Sequence, residues 1–356
     1  MKQEFITMAH GSGGLDSAEL MRGVFAKHFD GEVLSRMEDS AIITFPAGAF
    51  SSPDGGGKIA VSTDTFVVSP LVFPGGDIGK LAVCGTVNDV LMSGAIPRYL
   101  ACGFVLEVGL SIELLDGICA SMARAAEESG TAIIAGDTKV VEGRASAGGL
   151  FINTTGIGVF ERGAAGRPFA PAAAGMRPGD AVIVSGNLGD HHACILSARM
   201  GIANHIQSDC ALLSPIVNAL KDGGIDVHTM RDITRGGLGT VLNELAVSSG
   251  VRIELDEHAL PVSPEVNAFC GIMGLDPMYM GNEGKLVFSA PFDQVDEALR
   301  LVRGTDIGRQ AQAVGRVFPA DLGVSSLRAP AVVKHTAIGG TVRVDVLYGE
   351  GLPRIC

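Results

Sequence analysis

Apolar positions along the chain fall into two rhythms, and the rhythms alternate. Residues 59–70 (IAVSTDTFVVSP) have strand character and run into a polar turn. Residues 77–95 (DIGKLAVCGTVNDVLMSGA) carry helical apolar spacing and stop before Pro97. Residues 99–108 predict a strand, and 112–129 predict a helix with Ser111 as N-cap, Glu113 in the first turn and Gly130 at the stop. Strands over 131–136 and 149–160 complete a first set. The segment 161–180 is rich in Ala, Gly and Pro without an apolar period, and predicts a linker. The alternation then restarts: strand 181–186, helix 190–201, helix within 236–250, strand 285–290, helix 294–304 and strand 312–318. From Thr336 an extended tail is expected. The division is therefore an N-terminal segment (1–36), an α/β domain (37–160), the linker (161–180), a second α/β domain (181–335) and a mobile tail (336–356).

A length of 356 residues suits two domains, each with its own core. The 49 glycines favour tight turns, whereas 5% aromatics and no tryptophan argue against aromatic binding platforms. A net charge of −12 without a long basic run excludes nucleic acid or an anionic membrane as the main partner. No apolar stretch is long enough to span a bilayer, and the start is unlike a signal peptide, so a cytoplasmic protein is expected. The seven cysteines form no C-x-x-C pair and no zinc spacing. Cys84, Cys102, Cys119, Cys194, Cys210 and Cys270 sit among apolar neighbours and are expected as buried hydrophobes; Cys356, after two glycines and a proline, fits no such description.

Familiar nucleotide and hydrolase motifs are missing. G-K occurs three times without completing a P-loop, and there is no G-x-G-x-x-G, H-E-x-x-H or G-x-S-x-G. Five short turns carry aspartate instead: 38-EDSAII-43, 63-TDTF-66, 88-NDVL-91, 136-GDTK-139 and 231-RDITRGG-237. Each alone is ordinary turn or cap chemistry. Together, converging on one cleft, they suit a magnesium–nucleotide complex, because magnesium binds through a few carboxylates plus substrate phosphates. Glycine turns at helix starts, 186-GNLGDHH-192 and 235-RGGLG-239, offer backbone N–H groups to phosphate or serve only as caps. The stretch 10-HGSGG-14 reads as a disordered leader or as a flap over a nucleotide.

The set 10-HGSGG-14, 88-NDVLMSGAIP-97, 135-AGDTKVVE-142, 186-GNLGDH-191, 231-RDITRGGLG-239, 281-GNEG-284 and 353-PRIC-356 resembles, over essentially the whole chain, the HypE family of hydrogenase maturation factors, the carbamoyl dehydratases. That family belongs to an ATP-binding superfamily with aminoimidazole ribonucleotide synthetase, selenophosphate synthetase and thiamine monophosphate kinase. The resemblance implies two α/β domains, a homodimer whose N-terminal domains build a shared barrel, and ATP and Mg2+ as cofactors. It also implies that Cys356 accepts a carbamoyl group from the carbamoyltransferase HypF. ATP-driven dehydration then gives S-cyanide, which passes to iron on HypC–HypD. The 16 residues from Gly340 to Cys356 could reach about 55 Å when extended, enough for a swinging arm.

Carried over residue by residue, the resemblance makes Asp64, Asp89, Asp137 and Asp232, with Asp39 behind them, the metal and phosphate set. Asn88, Thr138, Gly189, Asp190, Thr234, Arg235 and Gly236 would line the nucleotide cleft, with His10, Gly11, Ser12 and His191 as further contacts. Glu283 would take the amide proton, Lys139 polarising or relaying. Two rivals stand beside this. A sister synthetase acting on a diffusible molecule gives no reason for a terminal thiol, and a nucleotide-switched scaffold would bind ATP without turnover.

Overall fold

The computed structural model describes residues 14–25, 28, 38–44, 57–142, 149–160, 169–320 and 331–347. It begins with a short helix α1 (Leu15–Leu20). The first half builds a five-stranded sheet from β1 (Ala41–Thr44), β2 (Lys58–Phe66), β5 (Ile96–Glu107), β6 (Ala132–Val141) and β7 (Leu150–Val159). The spatial order is β1-β2-β7-β5-β6, and a small ribbon of β3 (Val72–Phe73) and β4 (Gly76–Asp77) lies apart. All sheet pairs are antiparallel except β5 with β6, which are joined by helix α3 (Ile112–Ser129) as a crossover connection. Strand β7 alternates buried and half-buried residues along its length, as the sequence alternation implies.

Helix α2 (Ile78–Met92) packs on this sheet and carries Asn88 and Asp89 toward the second half of the chain. Asp77 caps it, accepting N–H bonds from Gly79 (2.8 Å) and Lys80 (3.0 Å). Glycines 156 and 158 of β7 let it approach: a Cβ on Gly158 would lie 2.4 Å from Val90 Cγ1. The helix is buried on nearly every side because strand β9 (Thr229–Asp232) and helix α5 (Ser214–Asp222) of the second half cover its other face. This is why its apolar residues run all round rather than in a stripe.

The second half forms a seven-stranded sheet in the order β14-β13-β10-β12-β8-β11-β9. Its strands are β8 (Asp180–Val184), β9 (Thr229–Asp232), β10 (Val251–Asp256), β11 (Leu286–Pro291), β12 (Gln312–Pro319), β13 (Val332–His335) and β14 (Thr341–Arg343). Helices α4 (Asp190–Met200), α5 (Ser214–Asp222), α6 (Gly237–Ser249), α7 (Pro264–Met273) and α8 (Val295–Arg303) complete this half. Ala181 and Ile183 of β8 enter one core with α5 and α8, whereas Val182 and Val184 enter another with α6. Burial on both faces explains the unbroken apolar run AVIV. The first of these cores continues into the N-terminal sheet and α2, so the two halves share one apolar interior.

Two α/β units, as expected from the alternation, are what the chain builds. Three expectations change. Residues 336–347 are not a free tail: β14 pairs with β13, Val344 is buried, and Leu15 N–H donates to Leu347 O at 3.1 Å. The second part of the linker is packed, since Met176 is buried and Ala172 O accepts from Thr229 Oγ1 at 2.9 Å. Cys119 lies exposed on α3, while the other five cysteines of that group are buried. Among the described residues no helix is long and apolar enough to cross a membrane.

Candidate active site

Strand β2, helix α2 and strand β9 end around a cavity of about 280 Å³ between the two sheets. Alternation along β2 turns Ser62 and Asp64 to the same face. Ser62 Oγ donates to Asp89 Oδ2 of α2 at 2.7 Å, and Asp64 Oδ1 accepts Thr65 N–H at 2.7 Å. Asp232 closes β9, and the turn after it carries Thr234 and Arg235 into the cavity. Glu283 enters from the loop before β11, and Glu244 from α6. Asp39 comes from the bend before β1.

Six lining carboxylates (Asp39, Asp64, Asp89, Asp232, Glu244 and Glu283) therefore face two guanidiniums, Arg231 and Arg235. Both arginines bridge the halves: Arg231 Nε lies 2.8 Å from Asp39 Oδ1, and Arg235 Nη2 lies 3.7 Å from Asp64 Oδ1. The pairing is insufficient. Burial raises the carboxyls of Asp39 and Asp64 despite their arginines. Burial, then the charges of Asp232, Asp39 and Asp64, hold Asp89 well above the usual carboxylate range. Burial and Asp39 push Asp232 up to about 7, and burial with Asp209 holds Glu283 well above its ordinary value. Such a cavity is stabilised by added positive charge.

Among the described residues, no three His, Cys, Asp or Glu side chains close on one metal ion by themselves. The donor set fits magnesium rather than zinc: all oxygen, spread around a roomy cavity, as a cation that keeps several waters and shares phosphate oxygens requires.

Of the residues singled out in the sequence, Asp39, Asp64, Asp89, Asp232, Thr234, Arg235 and Glu283 converge here. Others do not. Asn88 is buried with its amide engaged at both ends: Nδ2 donates to Ala211 O at 3.0 Å and Oδ1 accepts Leu213 N–H at 2.8 Å. It clamps the two halves together instead of lining the cleft. Gly189 is the left-handed residue before α4, with its N–H on Asn282 Oδ1 at 2.7 Å. Asp190 lines a separate polar cavity of about 360 Å³ with Asp209 and Lys285, and His191 is wholly buried with Nδ1 at 2.7 Å from Ser208 Oγ. Gly236 is the left-handed residue before α6 and sits against Thr240. Asp137, Thr138 and Lys139 fall within the exposed edge strand β6, outside this cavity, and Lys139 hydrogen-bonds to Asp137 and lowers its carboxyl. His10, Gly11, Ser12 and Cys356 lie outside the described residues.

Sequence reasoning did not single out Ser62, Arg231 or Glu244. The S-x-D spacing in 61-VSTD-64 signals Ser62, and Arg231 opens the RDITRGG stretch that supplies Asp232. Glu244 reaches the site only through the packing of α6, which no local pattern announces.

Two family models match the chain: the N-terminal domain of AIR synthase related proteins over residues 37–160, and their C-terminal domain over residues 177–326. A carbamoyl dehydratase HypE of Rhodobacter capsulatus is 44% identical over 100% of this chain and 99% of its own length. A crystal structure of the hydrogenase maturation protein HypE in complex with ATP superposes with a TM-score of 0.77 at 43% identity, covering 99% of this chain and 100% of that one. The structure of a HypE–HypF complex gives 0.80 at 40% identity, over 92% and 99%. With both domains matched, in chain order and over essentially its full length, the chain belongs to the AIR synthase related proteins and, among them, to the HypE family of carbamoyl dehydratases, enzymes of hydrogenase maturation.

Proposed function

We propose that this chain dehydrates an S-carbamoyl group on its own Cys356 to an S-cyano group in an ATP-dependent reaction, supplying the cyanide ligand for the iron of [NiFe] hydrogenase. The observation that carries the reading is the acidic cavity with the root of the C-terminal segment fastened beside it. Val344 O accepts from Asn243 Nδ2 at 3.0 Å, next to the cavity residue Glu244, and Asp345 O accepts from Tyr279 Oη at 2.8 Å. The nine residues after Leu347 can span at most about 30 Å, a reach that would let the thiol enter the cavity and swing out to other proteins.

The chemistry needs a better leaving group than oxide. The carbamoyl oxygen attacks the γ-phosphorus and ADP departs, leaving an O-phosphorylated thioimidate; loss of phosphate with the N–H protons closes the C≡N bond. The balance is R–S–C(=O)NH2 plus ATP giving R–S–C≡N plus ADP and phosphate. Asp64, Asp89 and Asp232 would hold Mg2+, which when bound supplies neutralising charge at the phosphates and orients them. Asp39 is engaged by Arg231 and acts behind them. Thr234 and Arg235 would bind phosphate oxygens. Glu283, buried in the cavity with a raised pKa, is a strong proton acceptor once cations offset its acidic neighbours, and we assign it as the base.

Asp137, Thr138 and Lys139 enter through a homodimer. Among the described residues strand β6 has an unpaired edge, with Ile134 58% and Val140 66% exposed, the kind of edge that soluble proteins cover. Pairing of two copies along β6 would bring one copy's Lys139 to the other's cavity, where it polarises the carbamoyl group. The solved HypE–HypF complex supports HypF as a partner; we take HypF as the carbamoyl donor and an iron complex of HypC and HypD as the acceptor. The unpaired thiols of the buried cysteines suit the cytoplasm.

Mass spectrometry of the C-terminal peptide after incubation with the carbamoyl donor and Mg–ATP tests this, with Cys356→Ala as control. The expected result is a carbamoyl adduct that becomes a cyano adduct only with ATP. A cyano adduct elsewhere on the chain, or none at all, overturns the proposal.

A further inference from the structure

Asp209 belongs to the second cavity, yet its side chain, 3% exposed, reaches the loop that delivers Glu283 to the first. Oδ1 accepts Glu283 N–H at 3.0 Å, and Oδ2 accepts from Lys285 Nζ at 3.1 Å. The next residues complete the grip, since Ala211 N–H donates to Glu283 O at 3.3 Å. The Glu283 backbone is thus held on both sides by residues 209–211. Between the two gripped residues stands Gly284, where a Cβ would lie 1.9 Å from Asp209 O; the two segments meet too closely for any side chain. Asn282 fixes the upstream end by accepting from Gly189 N–H at 2.7 Å and donating to Ile233 O at 3.0 Å. The neighbours of Glu283 in the loop are therefore held by polar contacts, and one Asp209 side chain contacts both flanks of Gly284.

We propose that Asp209 is a positioning residue for the reaction: its two carboxylate oxygens hold residues 283 and 285 so that Glu283 faces the acidic cavity. This rests on the reading of Glu283 as the base. An acceptor for Lys285 alone would need one oxygen; the second is spent on the Glu283 peptide. Misplacing a reacting group by about 1 Å can cost roughly 100-fold in rate. Asp209 does not line the acidic cavity, so nucleotide affinity should be left alone.

The test uses full-length protein carrying a carbamoylated Cys356 and follows single-turnover cyano formation against ATP concentration. Asp209→Leu is expected to slow the maximal rate about 10- to 100-fold with the half-saturating ATP concentration within about twofold, and, once Lys285 is replaced by Met, Asp209→Asn, which keeps an acceptor for Glu283 N–H, to recover most of the loss. Since Asp209→Leu strands the buried Lys285 cation, the same comparison is made in a Lys285→Met background, which removes both charges. Because Asp209 acts through Glu283, adding Asp209→Leu to Glu283→Gln should slow the reaction little further. Asp209→Leu/Lys285→Met turning over as fast as Lys285→Met alone, or losses that multiply with Glu283→Gln, overturn the proposal while leaving the base intact. Glu283→Gln at the unsubstituted rate overturns the base assignment itself, and the positioning role with it.

Discussion

Replacing Asn88 by alanine tests whether this residue serves the nucleotide or the architecture. Its amide makes two buried hydrogen bonds to the backbone of the other half, to Ala211 O and from Leu213 N–H, with the residue 1% exposed. Alanine leaves both backbone groups without their side-chain partner, Leu213 N–H at a buried position and Ala211 O at a part-buried one. An orphaned buried polar group costs about 1–3 kcal/mol, so the pair should cost about 3 kcal/mol after partial relaxation. Asn88→Asp should be no better, because it sets a carboxylate against Ala211 O beside the already crowded acids. The assay is urea unfolding, with the free energy falling by that amount at unchanged m-value, alongside calorimetric ATP titration, where the dissociation constant should stay within about twofold. A loss below about 0.5 kcal/mol would show that the clamp argument is wrong. A tenfold loss of ATP affinity in a stable variant would return Asn88 to the nucleotide site.

The same geometry sets further outcomes. Asp89→Asn relieves repulsion among buried carboxylates and should stabilise the nucleotide-free protein by about 1–2 kcal/mol while weakening Mg–ATP binding at least tenfold, read by urea unfolding and titration calorimetry; destabilisation without ligand refutes it. Gly284→Ala drives a Cβ into Asp209 O and should abolish turnover while ATP still binds, measured by phosphate release and calorimetry. Burial holds His191 down at about 4, so its contribution to stability is lost as pH falls from 6.5 toward 4; burial, then Asp209, hold Asp190 up at about 6, so its contribution falls as pH rises from about 4 to 6. The two nearly cancel. His191→Gln should leave the Asp190 slope exposed and gain about 2–3 kcal/mol relative to the parent between pH 7 and pH 4.5, by urea unfolding at each pH. Ile134→Lys on the β6 edge should yield monomers in sedimentation velocity and lose turnover with them.

Local rules carried much of the fold. Helix α3 has the limits that Ser111 and Gly130 mark, and α2 stops three residues short of the expected end, where Ser93 caps it. The strands β9 and β10 and helices α5 and α7 escaped because their apolar residues meet partners distant in sequence. Packing also changed what the aspartate stretches mean. Only Asp39 and Asp232 sit at turns or strand ends as expected; Asp64 lies within β2, Asp89 within α2 and Asp137 within β6. The convergence of four of them was legible from residue type; that Asp137 stands on an open edge was not, because strand order is decided by pairing across the chain. His191 and Asp190 were drawn into the site by a glycine turn whose N–H groups the structure spends elsewhere, Gly189 N–H on Asn282 Oδ1 and Leu188 N–H on Pro261 O.

The continuous apolar interior joining the two sheets has a mechanical consequence. Prising the halves apart would expose Leu213, Ile216 and the outer face of α2, at about 1.5–3 kcal/mol for each large side chain, soon matching the stability of a whole domain. The body must therefore behave as an anvil rather than a jaw. Small-angle scattering of the body should register no closure when nucleotide binds.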